Sequence, residues 1–307
     1  MSRPIQVLLA TYNGAAHVEQ QLDSLRRQTV ADQMTVLVRD DASTDGTVAV
    51  VRDFDPGPLA LELIPGDHLG AAASFLDLLR RADLSCPTTM LCDQDDHWDP
   101  DKAEIAAAAL AGLDPGRPGL YCCRSVVTDA QLNPVGLTDL APRGPSFRNS
   151  LVQIIASGHT MALNPRLVEL ARQTMDPAAA VMHDNWIYCL AAGLGQVVFD
   201  PEPHVRYRIH SGNEMGFTVG WRRELERLGR LLRSDRSQLT RQARALAQVI
   251  GDDLAEADRS ALLGFIDQSS LAQRLSYLAR FPLVLQRRST ALASTWSYLV
   301  GRFRPAD

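Results

Sequence analysis

The sequence predicts the α/β class, with a mostly parallel sheet covered by helices on both faces. Short apolar runs, typical of buried strands, alternate with segments whose apolar residues recur at helical spacing. Several of these runs also end in polar segments, and parallel sheets bind ligands outside the carboxyl ends of their strands. We therefore expect one ligand site at that edge of the sheet.

The first hundred residues supply the elements in order. "IQVLLA" predicts a strand, "TYNG" a loop and "AAHVEQQLDSLRRQ" a helix. "MTVLVRD" predicts a second strand, and Ser43, Thr44 or Asp45 can cap a helix that starts near Thr47. "ALELIP" and "GAAASFLDLLRRA" predict the third strand and helix, and "TTMLC" a fourth strand. The pattern is that of βαβ units.

Composition narrows the class of protein. The 307 residues are 46% hydrophobic and 22% charged, enough for a large core in one domain, or in one domain with an appendage. Five cysteines without a CxxC pair indicate neither a disulfide framework nor a structural zinc site, which predicts a cytoplasmic protein. No apolar stretch approaches the roughly 20 residues of a membrane span. No nucleic-acid partner is expected.

Charge divides the chain into two parts. Residues 218–307 hold 15 arginines and nine acidic residues, so residues 1–217 carry a net charge of −11. We expect an α/β domain over 1–217 and a basic helical extension over 218–307. Amphipathic helices of this kind either pack on their own domain or dock peripherally on an anionic membrane, here the inner face of the plasma membrane.

The segment "LCDQDDHWDPDK" (91–102) concentrates negative charge after the fourth strand. Its carboxylates match the ligand spacing of an EF-hand loop, but Trp98 stands where that loop needs glycine. Asp99 or Asp101 is expected to cap the next helix. Asp93 and Asp95 leave a buried strand as an Asp-x-Asp pair, which can hold a divalent cation against a diphosphate. Asp96 is open between the outer shell of that ion and solvent.

The motifs "LATYNG", "VRDDASTDGT" and "LCDQDDHWDPDK" resemble the nucleotide-sugar half of family 2 glycosyltransferases, over roughly residues 4–217. The resemblance implies a GT-A fold, an inverting transferase and Mg²⁺ or Mn²⁺ as cofactor. The variants "DQDD", "HDNW" and "YRIH" are most similar to bacterial rhamnosyltransferases of surface polysaccharide synthesis. They imply dTDP-L-rhamnose as the first donor to test and a glycan or lipid-linked glycan as acceptor.

The resemblance also implies a base pocket after the first strand. The residues expected to line it are Ala10, Thr11, Tyr12 and Asn13. Asp41 is expected to accept a hydrogen bond from the base, and Asp40 is either part of this site or a strand-end carboxylate with a local turn bond. Because a carboxylate accepts the imide N–H of uracil and thymine alike, UDP-sugars remain open as donors.

The diphosphate and metal contacts follow from later motifs. In the family pattern Asp93 contacts the ribose or the metal, and Asp95 coordinates Mg²⁺ or Mn²⁺. Arg206, Arg208 and His210 alternate along a predicted strand and so share one face, which suits a leaving diphosphate; His210 is also a candidate metal ligand. Near Ser74 some family members carry a basic residue on the donor, whereas this chain has serine.

The acceptor side centres on "MHDNW". Asp184 stands where the family has its general base, and its alternative role is that of a helix N-cap. The resemblance brings His183, Trp186 and His159 to the same side. Trp186 is alternatively a core residue, and His159 a satisfied, partly buried histidine.

Two other classes of protein fit the pattern less well. A nucleotidyltransferase would show a basic, glycine-rich phosphate loop after the first strand, and "ATYNGAAHVEQ" has none. A noncatalytic nucleotide-sugar binding module would lose the reacting carboxylates, whereas Asp95 and Asp184 are both present.

Overall fold

A computed structural model of the chain describes residues 3–209 and 234–305, together with Gly229 and Leu232. Nine strands lie in these ranges. They are β1 (Ile5–Thr11), β2 (Met34–Asp41), β3 (Ala60–Gly66), β4 (Thr88–Asp93), β5 (His97–Trp98), β6 (Gly119–Thr128), β7 (Pro134–Leu137), β8 (Ala162–Leu163) and β9 (Gln196–Arg208).

Eleven α-helices are bounded within the same part of the chain. They are α1 (Val18–Arg26), α2 (Thr47–Asp53), α3 (Ala71–Arg81), α4 (Lys102–Ala111), α5 (Phe147–Ser150), α6 (Pro165–Thr174), α7 (His183–Leu194), α8 (Ser237–Ile250), α9 (Glu256–Ile266), α10 (Leu271–Arg280) and α11 (Arg288–Leu299). Two 3₁₀ turns span Ala31–Gln33 and Gly158–Thr160.

All nine strands belong to one sheet, with the order β3-β2-β1-β4-β8-β6-β9-β5 and β7 paired with β6. The four N-terminal strands are parallel, which confirms the predicted α/β class. The short β8 runs antiparallel to both β4 and β6. β6 and β9 are parallel to each other. The sheet is therefore mixed beyond β4.

Alternating side chains of β1 show that both faces of the sheet are covered. Leu8 packs into one buried cluster, with Leu91 of β4. Val7 and Leu9 point to the opposite face and pack into the other, with Val36 of β2. Successive side chains of a strand point to opposite faces, so a strand buried on both reads as a continuous apolar run.

The C-terminal helices share a core with the α/β part. Leu246 of α8, Phe265 of α9 and Tyr298 of α11 belong to the same buried cluster as Trp186 of α7. The expected boundary at 217/218 lies outside the described residues and stays a prediction. No helix in the described ranges combines the length and the hydropathy needed to cross a membrane. All five cysteines are free and buried.

Two of the expected helix caps differ in detail. Asp45 accepts a hydrogen bond from Thr47 N (3.1 Å), although Gly46 occupies the cap position of α2. Asp101 occupies the cap position of α4 but its side chain makes no capping hydrogen bond there. Asp99, the other expected cap, pairs with Arg206.

Candidate active site

The register of the parallel strands brings three polar segments to one edge of the sheet. Thr11 at the end of β1 lies opposite Asp40 of β2, and Ala10 lies opposite Asp93 of β4. The Thr11 hydroxyl donates to Asp40 Oδ1 (2.9 Å). Asp40 Oδ2 accepts from the backbone N–H of Ser43 (2.8 Å). Asp40 thus makes the local turn bond that was one of its two predicted roles.

The loop after β1 is fastened to the loop after β2. Asn13 has a φ of 47° and donates its backbone N–H to Ser43 Oγ (2.9 Å). Gly14 N donates to Thr47 Oγ1 (2.8 Å). Across the same gap Thr44 N donates to Asn13 Oδ1 (2.9 Å). The predicted base-pocket residues are therefore held on a rigid frame.

Tyr12 presents the exposed aromatic surface of this corner. Its side chain is 46% exposed, and its ring lies 4.5 Å from the ring of His68, centroid to centroid. Gln94, the middle residue of the Asp-x-Asp motif, exchanges two hydrogen bonds with the Tyr12 backbone. The sequence reasoning missed both His68 and Gln94. His68 follows the predicted third strand, and its position at the carboxyl end of that strand was a signal that it could belong to the ligand site.

Asp41, the residue predicted to contact the base, is buried, and its carboxylate accepts hydrogen bonds from other protein groups. It accepts hydrogen bonds from the backbone N–H groups of Leu69 (2.8 Å) and Gly70 (2.9 Å), from the Ser74 hydroxyl (2.9 Å) and from Arg39. Burial acts to raise its pKa, but these hydrogen bonds outweigh burial and lower the pKa to about 2. Asp41 is therefore ionised, with a side chain only 4% exposed. In this conformation it anchors the segment after β3.

Ser74 lies in the same network as Asp41, and its predicted place beside the donor stays a prediction. Its side chain lies in α3, is buried, and is committed to Asp41 and Arg39. The structure uses Ser74 to position Asp41.

The acidic segment meets His159 at the end of β4. His159 Nδ1 lies 3.8 Å from Asp93 Oδ2 and 3.7 Å from Asp96 Oδ2. Asp96 is fully buried, and its Oδ2 has no hydrogen-bond partner among the described residues. His159 Nε2 contacts the Ser125 hydroxyl (2.8 Å). When Nε2–H donates to Ser125, the lone pair on Nδ1 is directed toward the carboxylates.

The chemistry of this group suits a divalent cation. Burial, followed by the charges of Asp95 and Asp93, raises the pKa of Asp96. Burial, followed by the charge of Lys102, lowers the pKa of His159 to about 3 and keeps the imidazole neutral. Asp93, Asp96 and His159 offer ligand atoms within 4.8 Å of one another. Carboxylate oxygens and a neutral imidazole are common ligands of Mn²⁺, so the residues fit such an ion.

Lys102, the chain's sole lysine, lies beneath the acidic segment. It is fully buried, donates to the backbone carbonyl of His159 (3.0 Å) and sits over the Trp98 ring. Burial lowers its pKa to about 8. Its ammonium group balances part of the negative charge of the acidic segment.

Arg206 and Arg208 reach the acidic segment from β9. Arg208 is buried, and its guanidinium donates to the carbonyls of Asp95 (2.9 Å) and Ala130 (2.6 Å) and to Gln20 Oε1 (2.7 Å). These bonds direct the guanidinium at protein oxygens, and the expected contact of Arg208 with the donor stays a prediction. Arg206 pairs with Asp99 (3.2 Å) and stays partly exposed. His210 lies outside the described residues.

Asp184 lies across the Gly158–Thr160 turn from the acidic group. Its Oδ2 accepts from the backbone N–H of Gly158 (3.1 Å), the residue before His159. Its Oδ1 accepts from Asn185 N (2.7 Å). Met182 holds the cap position of α7, so Asp184 is in the first turn and is not the N-cap. Its role as general base stays a prediction.

His183 and Trp186 belong to the interior. His183 is buried against the Phe75 ring (4.0 Å between centroids), and neither of its ring nitrogens has a hydrogen-bond partner in the described chain. Burial lowers its pKa to about 3. Trp186 is completely buried and directs Nε1 at Thr174 Oγ1 (3.3 Å). Trp186 therefore occupies the core position that was its alternative role, and contact of His183 or Trp186 with the acceptor stays a prediction.

The chain is similar in sequence to proteins of known families. Residues 6–148 match the family described as Glycosyl transferase family 2. The dTDP-rhamnosyl transferase RfbG of Shigella flexneri is 27% identical over 252 residues, which are 78% of this chain and 84% of that protein.

Solved structures share the fold. The crystal structure of S. aureus TarS has a TM-score of 0.61 at 14% identity, over 98% of this chain. This chain spans about half (54%) of that protein. The complex of TarS 1–349 with UDP-GlcNAc has a TM-score of 0.58. The mannosyltransferase PcManGT of Pyrobaculum calidifontis, in complex with GDP-Man and Mn²⁺, has a TM-score of 0.53 at 20% identity over 97% of this chain and 85% of that one.

The matched residues 6–148 include Tyr12, the turn after Asp40 and Asp41, and the acidic segment. The fold of the described residues is similar to that of TarS over 98% of the chain. Residues 6–148 are thus a family 2 glycosyltransferase domain, and the described chain has the GT-A fold.

Proposed function

We propose that this protein transfers L-rhamnose from dTDP-L-rhamnose, with inversion, to a hydroxyl of a glycan or lipid-linked glycan. The observation that carries the proposal is the edge of the sheet at which Tyr12, Asp93 and Asp96 converge beside the Gly158–Thr160 turn and Asp184. An exposed aromatic ring, a metal-competent group and a carboxylate stand there in sequence. A nucleotide diphosphate sugar needs these three elements along its length.

The choice of donor is supported by the relatives. RfbG, which matches over most of both chains, is by its name a dTDP-rhamnosyl transferase. A UDP-sugar is the second candidate, because the TarS neighbour was solved with UDP-GlcNAc. Both nucleotides carry a pyrimidine with an imide N–H. The two donors differ at the transferred sugar, at the 5-methyl group of thymine and at the 2′-hydroxyl, which dTDP lacks.

In the proposed reaction Asp184 takes the proton of the acceptor hydroxyl as its oxygen attacks the anomeric carbon. Inversion needs a single base on the face opposite the leaving diphosphate. The bond from Gly158 N orients Oδ2 of Asp184, and general-base catalysis typically contributes 10²- to 10⁴-fold in rate.

We propose Mg²⁺ or Mn²⁺ as the cofactor. A bound divalent ion neutralises charge that develops on the departing diphosphate. Asp93, Asp96 and His159 would hold it, with the family's Asp95 next to them, and the orphaned Oδ2 of Asp96 supports this assignment. The PcManGT complex contains Mn²⁺. His210 stays a candidate ligand from the sequence.

A panel of nucleotide sugars, scored by the nucleoside diphosphate released in the presence of a glycan acceptor and Mn²⁺, tests the proposal. We expect turnover with dTDP-L-rhamnose to exceed turnover with UDP-glucose, UDP-GlcNAc and GDP-mannose by at least tenfold. Preference for a UDP-sugar would replace rhamnose with the second candidate. Turnover only with a purine nucleotide sugar would contradict the pyrimidine assignment.

If the acceptor is lipid-linked, the protein works at a membrane surface. The basic extension over 218–307 is then the part proposed to make peripheral contact, on the cytoplasmic side where nucleotide sugars are available. This localisation is a proposal about the last 90 residues of the chain and is independent of the identity of the sugar.

A further inference from the structure

Two C-terminal helices present apolar side chains to solvent. Leu271 and Leu275 are four residues apart on α10, and each is more than half exposed. On α11 the exposed residues Leu292 (74%) and Trp296 (60%) are also four apart, and Val300 continues their row. Residues four apart lie on one side of a helix. Each helix therefore carries its own exposed apolar stripe, opposite buried residues such as Tyr277 and Tyr298.

Arg274 joins the two stripes. Its guanidinium donates to the carbonyl of Leu299 (3.0 Å) at the end of α11 and to the carbonyl of Gln268 (2.9 Å) just before α10. Arg274 lies between Leu271 and Leu275 in the sequence, so this contact brings the exposed end of α10 to the last turn of α11. We call Leu271, Leu275, Leu292, Trp296 and Val300 together the apolar stripe.

The segment that carries the apolar stripe is basic, although Asp267 directly precedes it and Arg287 pairs with Asp139. Residues 268–305 contain six arginines and no aspartate or glutamate. The six are Arg274, Arg280, Arg287, Arg288, Arg302 and Arg304. Five of them, all but Arg274, are exposed. An exposed apolar patch in a segment with a net positive charge differs from an ordinary solvated surface, where both signs mix evenly.

We propose that the apolar stripe docks on an anionic lipid membrane, with Leu292 and Trp296 inserted at the boundary between headgroups and acyl chains. The aromatic ring of tryptophan favours that boundary. Arginines around the stripe meet lipid phosphates while their aliphatic stems stay along the apolar surface. The site would hold α11 flat on the membrane, as interfacial amphipathic helices lie. This inference does not depend on which sugar is transferred.

Charge favours a membrane over a second copy of this chain. A two-fold dimer built on the apolar stripe would bring the same patch from both subunits together, and with it arginines against arginines. A bilayer containing anionic lipid offers apolar volume and negative charge at the same depth. The apolar stripe and its arginines match both properties.

Vesicle binding of the full chain tests the proposal. We expect flotation with vesicles of phosphatidylcholine mixed with phosphatidylglycerol, and little with phosphatidylcholine alone. The variant Leu292→Ser/Trp296→Ser should lower the partition coefficient at least tenfold, and Arg288→Gln/Arg304→Gln should lower it about tenfold or more and weaken its salt dependence. Brominated acyl chains should quench tryptophan emission of the wild type more than that of Trp296→Phe.

Leu69→Ser is the matched control, because Leu69 is as exposed as Leu275 (51% each) but follows the edge strand β3. It should bind vesicles like the wild type. Unchanged melting temperatures and dTDP binding in the stripe variants show that fold and donor site survive. The proposal is wrong if the wild-type protein does not bind anionic vesicles, or if the stripe variants bind them as well as the wild type does. It is also wrong if light scattering shows a dimer that is lost only in the stripe variants.

Discussion

Gln94 and Tyr12 are joined by two hydrogen bonds in which a side-chain amide pairs with a peptide group. Gln94 Oε1 accepts from Tyr12 N (2.9 Å), and Gln94 Nε2 donates to Tyr12 O (3.0 Å). The pair connects the acidic segment after β4 with the aromatic corner after β1. A Cβ added at Gly14 would overlap the Gln94 amide, so the glycine leaves room for this contact.

Gln94→Glu tests what this pair does. The carboxylate keeps an acceptor for Tyr12 N but sets a second oxygen against Tyr12 O, which should cost about 1–3 kcal/mol. We expect affinity for dTDP or UDP, measured by titration calorimetry with Mn²⁺, to fall about tenfold or more. Gln238→Glu, in the exposed first turn of α8, is the control and should bind like the wild type. Equal affinities for all three proteins would mean that Tyr12 does not depend on Gln94.

Ala42 stores backbone strain in the turn after β2. Its φ of 64° lies in the left-handed region, where a side chain with Cβ costs roughly 1–2 kcal/mol. Ala42→Gly should therefore stabilise the protein by about 1 kcal/mol in urea unfolding. The control Ala49→Gly, at an exposed position inside α2, should destabilise it by about 1 kcal/mol. A loss of stability in both variants would refute the strain.

Asp184→Asn removes the proposed base and keeps the shape of the side chain. The amide oxygen can still accept from Gly158 N, so donor binding should stay within a factor of two or so of the wild type. Turnover should fall by 10²- to 10⁴-fold. Asp252→Asn, a fully solvated carboxylate beside Arg259, is the matched control. Near-normal turnover of Asp184→Asn in a single-turnover assay would remove Asp184 as the base.

Asp96→Asn and His159→Ala separate the cation site from the rest of the fold. Each variant should weaken Mn²⁺ binding by at least tenfold, because losing a group that holds or supports a bound metal typically costs 10- to 100-fold in affinity. Electron paramagnetic resonance of free Mn²⁺ measures this binding. Asp101→Asn, in the same loop but exposed, should bind normally. If both variants still bind Mn²⁺ like the wild type, the ion binds at Asp95 and its neighbours instead.

Buried His183 predicts acid sensitivity. Its pKa falls from 6.5 to about 3 on folding, so between these values the folded chain binds fewer protons than the unfolded chain, and stability is lost as the pH falls. The loss from this group is about 2 kcal/mol from pH 6.5 to pH 5. We expect His183→Phe to flatten the pH dependence of urea unfolding by that amount.

Phe75→Leu is the comparison for His183, because it disturbs the same stacked pair without removing the titrating group. It should lower stability by a similar amount at every pH. A parallel pH dependence in His183→Phe and the wild type would show that folding does not lower the pKa of His183.

The N-terminal half of the fold was predictable because its signals are local. Strands such as β1 and β2 are continuous apolar runs, and their bounds agree with the predicted ones within one residue. The two-residue strands β5 and β8 left no such signal, since two residues cannot show a period. Their positions depend on pairing with β9 and with β4 and β6, far away in the sequence.

The site was predicted less completely than the fold. The type of a residue does not show whether its side chain hydrogen-bonds to a ligand or to other groups of the protein. Arg208 and Ser74 carry the right chemistry for a phosphate, but their donors are directed at protein oxygens. His159 shows the opposite case. A buried histidine was expected to be satisfied, yet Nδ1 points at Asp93 and Asp96. Only the tertiary contact between the Gly158–Thr160 turn and the end of β4 distinguishes these roles.

The burial of Lys102 has a practical consequence for probing this protein. Amine-acylating reagents find no other lysine in the chain, and in the folded state they find Lys102 enclosed between Trp98 and the backbone of His159. The rate at which its ε-amino group is acylated, measured by mass spectrometry, would therefore report how often this edge of the sheet opens. A donor nucleotide that tightens this edge should slow the labelling, which makes the buried amine a built-in reporter of ligand binding that needs no engineered tag.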